Sequence, residues 1–214
     1  KVVISQESKI NNILYVVKNG DDYEGYIKSV STKGFQSSRS NYIYYSKQSY
    51  RVNVDGELVY KHADLFSVRI KGFAHESGKD INIPLFILFR ALGIESDKEI
   101  LSMILFNVPE YLVNKFIDIL KPSIFDAYPI TSQQMALKYL MHIFNIKKIE
   151  KLLFIITNNC LPLYKTNYKK ALYIGYMIRN LLEVIIGYKK PSDRDSMLYK
   201  RISSSGAELA TLFR

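Results

Sequence analysis

The sequence predicts an α+β fold, with antiparallel strands in its N-terminal third and helices through most of the remainder. Two patterns predict this order. β-Branched and aromatic residues are concentrated in short runs before Ile70, and apolar residues recur every three or four positions after Pro84. With 214 residues, 48% of them hydrophobic and 23% charged, the chain can bury a core, which excludes wholesale disorder. This length suits one domain of ordinary size or two small ones.

The N-terminal strands are predicted from β-branched and aromatic runs that turn residues separate. These runs are Ile13–Val17, Tyr23–Val30, Tyr42–Tyr45, Tyr50–Val54, Glu57–Tyr60 and Leu65–Ile70. Asp55-Gly56 carries the signal of a type I′ turn, so the fourth and fifth runs are expected to form a hairpin. The segment His75–Lys79 is predicted to be a polar loop.

Helices are predicted from Pro84 onward because start and stop signals bracket the apolar periods. Pro84 suits a first helical turn, and Gly93 can end that helix with a positive φ. Ser96–Glu99 and Thr131–Gln134 have the spacing of a capping box. The predicted helices cover 84–92, 96–106, 109–120, 131–144, 147–158, 168–187 and 206–214. A polar turn is expected over Pro191–Asp195.

The charge of the chain is unevenly distributed. The net charge is +10, and residues 1–107 hold 14 Lys/Arg against 12 Asp/Glu, whereas residues 108–214 hold 16 against 8. A basic surface on the second half attracts polyanions, with nucleic acid ahead of an acidic protein or a membrane surface. The alternative is a solvated surface that only keeps the protein in solution.

Several function classes are excluded or disfavoured by composition. The single cysteine, Cys160, excludes an internal disulfide framework, and with three scattered histidines it argues against a Cys/His zinc site. The most apolar run, Ala171–Gly187, carries Arg179 and Glu183 near its middle, which predicts a core helix rather than a membrane span. Because the sequence opens at Lys1 without an initiator Met or a leader, we expect it to be a piece of a longer polypeptide.

A self-contained active site is not evident in the sequence. The glycines have no phosphate-binding spacing, and Ser77-Gly78-Lys79 lacks the remaining residues of a nucleotide loop. The histidines, which have no metal-ligand spacing and are expected at the surface, are His62, His75 and His142.

The densest polar cluster is Asp193-Arg194-Asp195, followed by Lys200-Arg201. Three interpretations stay open: an ion-pair network, a contact to nucleic acid, or a divalent-metal site of a nuclease built on the two carboxylates. In the second, a carboxylate accepts a hydrogen bond from an exocyclic amine of a base, and the cations bind phosphate or guanine.

A free-standing basic nucleic-acid-binding protein is the alternative for the whole chain. It would use some of the 17 tyrosines as stacking faces, with Tyr42, Tyr44, Tyr45 and Tyr50 clustered on predicted strands. The competing explanation is that strands favour tyrosine for packing.

Five motifs in one order resemble the second-largest, β-like subunit of multisubunit DNA-directed RNA polymerases. The sequence K-V-V-I-S-Q-E at residues 1–7 is similar to the strand K-V-[IL]-I-A-Q-E of that family. The next four motifs are F-R-A-L-G-I with S-D-K-E-I at 89–100, K-P-S at 121–123, K-A-L-Y-I-G-Y-M-I with L-L at 170–182, and D-R-D with K-R at 193–201. Gly206 and Phe213-Arg214 continue the last motif, so the resemblance spans almost the whole chain.

The resemblance implies a polymerase lobe inserted between two parts of the protrusion. Residues 1–18 would be a protrusion strand, 19–201 the lobe, and 202–214 the start of the returning protrusion helix. The lobe would form one wall of the DNA cleft without catalytic residues or a cofactor of its own, because the catalytic magnesium is carried mainly by the largest subunit. Its partners would be downstream duplex and non-template DNA, the largest and other polymerase subunits, and initiation factors, with no membrane contact.

Carried over by position, the resemblance implies a nucleic-acid site at Asp195, Lys200 and Arg201. Asp195 would accept from a base edge of the non-template strand, and the two cations would support it. Ser192 and Ser196 replace the Asp and His that are usual in the family, which affects base specificity. The abundance of Ile, Lys, Asn and Tyr is typical of an AT-rich genome and favours a large DNA virus as the source. The expected location is therefore the nucleus, or a cytoplasmic viral factory or virion.

Overall fold

A five-stranded antiparallel sheet carries the N-terminal part of the chain. The computed structural model describes residues 3–5, 13–30, 37–54, 57–70, 81–161, 164–193, 201–203 and 205–213. The sheet strands are β2 (Ile13–Asn19), β3 (Asp22–Val30), β4 (Ser37–Val54), β5 (Glu57–Arg69) and β6 (Ile83–Pro84). They are neighbours in the order in which they occur in the sequence, so the sheet is a meander. The α+β prediction is confirmed.

The hairpin of β4 and β5 is longer than predicted. The two runs 42–45 and 50–54 form the single strand β4, and 57–60 and 65–70 fall in or next to the single strand β5. The register runs without a break from Tyr42 opposite Arg69 to Val54 opposite Glu57. Continuous cross-strand pairing explains why the polar residues between the predicted runs do not interrupt the strands. The predicted turn Asp55-Gly56 and the predicted loop His75–Lys79 lie outside the described residues.

The two ends of the chain meet in a second, two-stranded sheet. β1 (Val3–Ser5) pairs antiparallel with β7 (Arg201–Ser203), with Ser5 opposite Arg201 and Val3 opposite Ser203. The polar cluster of Asp193–Asp195 and Lys200-Arg201, called the charged cluster below, therefore ends at β7, which is paired with the first residues of the chain.

Seven helices are present in the described residues: α1 (Leu85–Ala91), α2 (Asp97–Ile104), α3 (Glu110–Ala127), α4 (Gln133–Ile143), α5 (Ile149–Asn158), α6 (Asn167–Ile185) and α7 (Ser205–Leu212). Their positions confirm the predicted series within a few residues. Gly93 and Gly187 follow α1 and α6 with φ of 101° and 82°, a conformation that glycine adopts without strain.

Two details of the helix prediction are wrong. α3 does not end at Leu120 but continues through Pro122 to Ala127, because its last turns stay in the core, where Ser123 and Ala127 are buried. The capping boxes also differ: Ser96 makes no side-chain cap, and at α4 the capping hydroxyl belongs to Ser132, which accepts from the Met135 N–H at 3.3 Å. Helix packing therefore sets these ends more than local signals do.

The core lies between one face of the sheet and the helices. Ile43, Phe66 and Val68 on the sheet are buried in one cluster with residues of α1, α3 and α6. Every residue of α1 is buried, which makes it the central helix of the domain. α6 packs on β2 and β3, where the position of a Cβ on Gly25 would lie 3.7 Å from the Leu181 side chain.

Candidate nucleic-acid interface

The charged cluster spans the end of the described helical region and the start of β7. Asp193 is exposed, whereas Asp195 and Lys200 lie outside the described residues. Arg201 begins β7, and its backbone is paired with Ser5. The predicted roles of Asp195, Lys200 and Arg201 therefore stay predictions, as does the divalent-metal site built on Asp193 and Asp195.

The residue before the cluster is hydrogen-bonded to the edge of the main sheet. The Ser192 N–H donates to the Val16 carbonyl oxygen at 2.7 Å, and the Ser192 hydroxyl accepts from the Val16 N–H at 3.3 Å. β2 is one of the two edge strands of the sheet, so Ser192 occupies backbone groups that a further strand would otherwise use. This contact fixes where the charged segment leaves the domain.

An ion-pair network holds the chain between α6 and Ser192. The Glu183 carboxylate is in contact with the Lys189 ammonium and lies 3.6 Å from the Arg179 Nε. The Lys189 N–H also donates to the Glu183 carbonyl at 3.0 Å, and its Nζ donates to Asn180 Oδ1 at 3.2 Å. Because the Glu183 side chain is only 11% exposed, water screens these contacts weakly. The sequence signal for this role is the i,i+4 spacing of Arg179 and Glu183, which is typical of an ion pair on one side of a helix.

Most described lysines of the basic second half lie at the surface. The exposed ones are Lys115, Lys121, Lys138, Lys147, Lys148, Lys151, Lys165, Lys169, Lys189 and Lys190. Two of them have carboxylate partners, Lys121 with Asp118 at 2.7 Å and Lys189 with Glu183. The positive charge is therefore available to an external polyanion.

Lys170, in the fourth resemblance motif, is the buried exception among the described lysines. Its ammonium donates to the carbonyl oxygens of Ile156 at 2.9 Å and Thr157 at 2.5 Å, in the last turn of α5. A cation at this end satisfies carbonyls that lack helical partners and opposes the negative end of the helix dipole. Desolvation lowers the pKa of Lys170, while the neighbouring Cys160 acts in the opposite direction. The motif lysine is a structural cap.

Arg90, in the second resemblance motif, is likewise a buried cation that donates hydrogen bonds to backbone carbonyls. It is 3% exposed, and its Nη1 donates to the carbonyl of Ala127 at 2.6 Å and to that of Ile130. Its Nη2 pairs with Asp97, the first of two acidic residues in the same motif. One guanidinium thus joins α1 to the end of α3 and the start of α2, which explains why arginine and aspartate occur at this spacing.

Gly175 and Ser123 account for two further motif positions. A Cβ on Gly175 would lie 3.0 Å from the Met103 carbonyl oxygen, so glycine allows α6 to approach α2. The buried Ser123 hydroxyl accepts from the Phe66 N–H at 3.0 Å and joins α3 to β5. These motif residues make contacts between elements of the fold.

The predicted stacking tyrosines lie on both faces of the sheet. Tyr45 packs on the buried Phe66 with ring centroids 4.6 Å apart, which makes it a core residue. Tyr42 and Tyr44 are stacked at 5.8 Å on the other face, and the Arg69 guanidinium lies 4.3 Å from the centre of the Tyr44 ring. Burial, with some contribution from Glu24, raises the pKa of Tyr44 to about 12. Packing within the sheet therefore covers much of the ring surface that a free-standing nucleic-acid-binding protein would need for base stacking.

The last candidates from the sequence are the three histidines, possible metal ligands and a possible membrane span. His62 and His142 are exposed, as predicted, and His75 lies outside the described residues. Across the part of the chain that the structure describes, no three His, Cys, Asp or Glu side chains are grouped so that they could hold a metal ion. Within the same residues, no helix combines the length and the apolar character that a bilayer crossing needs.

Comparison with known proteins identifies the family. Residues 12–203 match the family described as RNA polymerase Rpb2, domain 2. The whole chain aligns at 30% identity with 18% of DNA-directed RNA polymerase II subunit RPB2 of Encephalitozoon cuniculi, and at 28% identity with 18% of DNA-directed RNA polymerase II subunit 2 of Arabidopsis thaliana. In Saccharolobus solfataricus, 12% of the archaeal DNA-directed RNA polymerase subunit Rpo2 aligns with 62% of the chain at 33% identity.

The chain spans about a fifth of the length of the full-coverage relatives. The match covers the five-stranded sheet, the six helices after it and the contact of Ser192 with Val16, whereas β1, which pairs with β7, lies before the matched residues. The predicted resemblance is thereby confirmed, and the viral source stays a prediction. The chain belongs to the RNA polymerase Rpb2 domain 2 family, the lobe region of the second-largest subunit.

Proposed function

We propose that the chain forms one wall of the DNA cleft in a DNA-dependent RNA polymerase and presents the segment Asp193–Arg201 to downstream and non-template DNA. One observation carries this proposal: both ends of the segment are tied to N-terminal strands, Ser192 to Val16 of β2 and Arg201 to Ser5 of β1. A short charged segment held at both ends costs less entropy to order on a ligand than a free one.

The proposed contacts follow from the side-chain chemistry. Asp195 accepts a hydrogen bond from an exocyclic amine at a base edge, while Lys200 and Arg201 bind phosphate or the acceptor edge of guanine. The exposed lysines of the second half add a sequence-independent attraction to the DNA backbone. Ser192 is occupied by Val16 and is therefore assigned to positioning rather than to DNA.

The chemistry of nucleotide addition is assigned to other parts of the enzyme. In this proposal the chain contributes no catalytic residue and no cofactor, and magnesium binds in the largest subunit. The largest subunit, other polymerase subunits and initiation factors are the proposed protein partners. The proposed location is the nucleus, or a viral factory or virion for a viral source.

The proposed division of the chain follows the same reasoning. Residues 1–18 and 202–214 are assigned to the neighbouring protrusion and 19–201 to the lobe. Support comes from the pairing of β1 with β7, which brings the two chain ends together in a sheet separate from the five-stranded one.

The test is the lifetime of promoter complexes formed by polymerase that carries Lys200→Ala. Loss of one phosphate contact should shorten the lifetime after challenge with a polyanionic competitor and reduce the salt slope of DNA binding by about 1. Lys98→Ala, which removes an exposed lysine of α2 in the first half of the chain, is the matched control and should change neither quantity. An unaltered lifetime and salt slope in the Lys200 variant would contradict the assignment of Lys200 to a DNA contact.

A further inference from the structure

A row of apolar side chains lies on the exposed side of α6. Tyr168, Leu172 and Tyr176, each four residues apart, are 54%, 40% and 44% exposed. Helix neighbours at this spacing form a continuous stripe, and a solvated helix usually presents polar residues there. Since the opposite side of α6 is buried in the core, the helix has apolar residues on two sides. The outer row is therefore a candidate contact surface.

Beside this row, tyrosines form an open cleft of about 240 Å³. Its lining residues are Tyr164, Lys169, Leu172, Tyr173 and Tyr176. The rings support one another: the centroid of Tyr173 lies 5.1 Å from that of Tyr164 and 5.8 Å from that of Tyr176. Burial raises the pKa of Tyr173 to about 12, as expected for a ring that is packed between neighbours. The cleft is preformed, which lowers the entropic cost of binding.

Cations lie at the cleft and on the chain next to it. Lys169 lines the cleft, the exposed Lys165 precedes the first residue of α6, and the Arg179 guanidinium lies 5.3 Å from the centre of the Tyr176 ring. Residues 151–182 contain no Asp or Glu, so the sequence around the cleft offers Lys165 and Lys169 no carboxylate. Arg179 is also held by the Phe106 carbonyl oxygen at 2.8 Å and by Glu183. The two lysines are the groups left to attract an anionic ligand.

The ring geometry favours a peptide over single-stranded nucleic acid. The planes of Tyr164 and Tyr173 are tilted by 37°, and those of Tyr173 and Tyr176 by 43°. Rings that lean on each other cover part of their own faces, whereas nucleic-acid platforms present open faces to successive bases. A tyrosine-lined apolar cleft with a cationic rim instead matches a hot-spot pocket for one anchor side chain.

We infer that this cleft binds a short acidic peptide segment of a partner protein. An aromatic or proline side chain of the segment packs against the tyrosine-lined wall of the cleft and Leu172, and its carboxylates pair with Lys169 and Lys165. The inference deepens the part of the proposed function that concerns protein partners, and it rests on that part alone. It does not depend on the DNA contact of Asp195 and Lys200, so the two fail separately.

The test is fluorescence anisotropy with the assembled polymerase. The probe is a fluorescein-labelled peptide of twelve residues in which Asp and Glu flank a central Phe-Pro pair. Two control peptides replace the acidic residues by Lys or the Phe-Pro pair by Ser-Ser. We expect binding of the first peptide only, weakened by salt, because both the charges and the anchor contribute.

Matched variants locate the site. Leu172→Asp places a negative charge in the cleft and should weaken binding at least tenfold, and Lys169→Glu should do the same. Leu153→Asp, at an α5 side chain that is 42% exposed, and Lys151→Glu are the controls and should leave the affinity unchanged. Equal affinity in the wild type and the Leu172 variant would overturn the inference.

Two further results separate the alternatives. Oligo(dT) that displaces the peptide, and that itself loses affinity in Leu172→Asp, would identify a nucleic-acid site and overturn the inference. Promoter complexes of Leu172→Asp should keep their wild-type lifetime, because the proposed DNA contact uses other residues. A shortened lifetime equal to that of Lys200→Ala would assign the cleft to DNA and would also overturn the peptide site.

Discussion

Ser192 and Val16, 176 residues apart in the sequence, exchange two hydrogen bonds: the Ser192 N–H donates to the Val16 carbonyl at 2.7 Å, and the Ser192 hydroxyl accepts from the Val16 N–H at 3.3 Å. The outer edge of β2 has no neighbouring strand within the five-stranded sheet. Buried backbone groups on such an edge need partners, and Val16 is only 4% exposed. The Ser192 side chain thus has two roles: it completes the edge of the sheet, and it positions the charged segment that follows it.

Replacing Ser192 tests this double role. Ser192→Ala keeps the N–H but removes the hydroxyl, which leaves the Val16 N–H without an acceptor. We expect the free energy of unfolding to fall by about 1 kcal/mol, measured by urea denaturation. Ser102→Ala is the control, since the Ser102 hydroxyl bonds only within the exposed side of α2 and its loss should cost less than about 0.5 kcal/mol. Equal losses of unfolding free energy in the two variants would contradict the role of Ser192 in completing the sheet edge.

The fold was largely predictable because its elements have strong local periods. The apolar spacing of α1 and α6 and the β-branched runs of β2 and β3 repeat often enough to define an element without tertiary information. Element ends were less predictable. α3 continues past Pro122 because Ser123 reaches the Phe66 N–H across the core, and no sequence window of helical length contains both residues.

The position of the candidate site stays a prediction, and the sequence does not predict the contacts that hold the segment in place. The charge pattern located the segment from Asp193 to Arg201, since charged residues are concentrated there. Its anchors come from strands β1 and β2, nearly the whole chain away, so no local signal pairs Ser192 with Val16 or Arg201 with Ser5. Long-range pairing of this kind is set by topology.

The contact of α6 with α2 predicts a steric cost at Gly175. A Cβ there would lie 3.0 Å from the Met103 carbonyl oxygen and 3.2 Å from its carbon, atoms of backbone that cannot rotate away. Gly175→Ala should lower the free energy of unfolding by about 1–3 kcal/mol, as overpacking does elsewhere, despite the better helix propensity of alanine. Thermal and urea unfolding measure this change.

Gly206 in α7 provides the matched control. A Cβ there meets no heavy atom within 4 Å, so Gly206→Ala gains helix propensity without a clash. The two substitutions are chemically identical and should have opposite signs. A stabilising Gly175→Ala would show that α2 moves away from α6 at negligible cost, contrary to the close packing described above.

Arg90 should not tolerate lysine. The guanidinium reaches the Ala127 and Ile130 carbonyls and Asp97 at once, whereas an ammonium has a single nitrogen from which to donate. Arg90→Lys should cost about 2 kcal/mol or more in the free energy of unfolding, since it strands buried acceptors.

Asp97→Asn distinguishes the ion pair of Arg90 with Asp97 from the hydrogen bonds that Arg90 donates to the Ala127 and Ile130 carbonyls. The Asp97 side chain is 40% exposed and an amide keeps an oxygen acceptor, so this substitution should cost about 1 kcal/mol or less. A larger loss for Asp97→Asn than for Arg90→Lys would mean that the ion pair, rather than the capping of α3, holds the motif together. Urea denaturation of both variants at one salt concentration decides between them.

The buried thiol of Cys160 predicts a loss of stability in alkali. Burial raises the pKa of Cys160 from the ordinary 9.0 to about 12, although the Lys170 ammonium lowers it in part. The unfolded state therefore releases the thiol proton at a lower pH than the native state. The contribution of this group to stability is fully present below pH 9 and is lost as pH rises towards 12.

Cys160→Ala tests this contribution. The pKa values of Tyr45 and Tyr173 are also raised by burial, from 10.0 to about 12, but these groups are the same in both proteins. The pKa of Lys170, which Cys160 raises in part, falls further in the variant. At pH 7.5 the variant should be less stable by the cost of a small cavity. Between pH 9 and 10 the wild type should lose stability faster, so that the difference between the two narrows. Urea denaturation at three pH values measures it, and a constant difference would mean that the thiol ionises as readily in the folded chain as in the unfolded one.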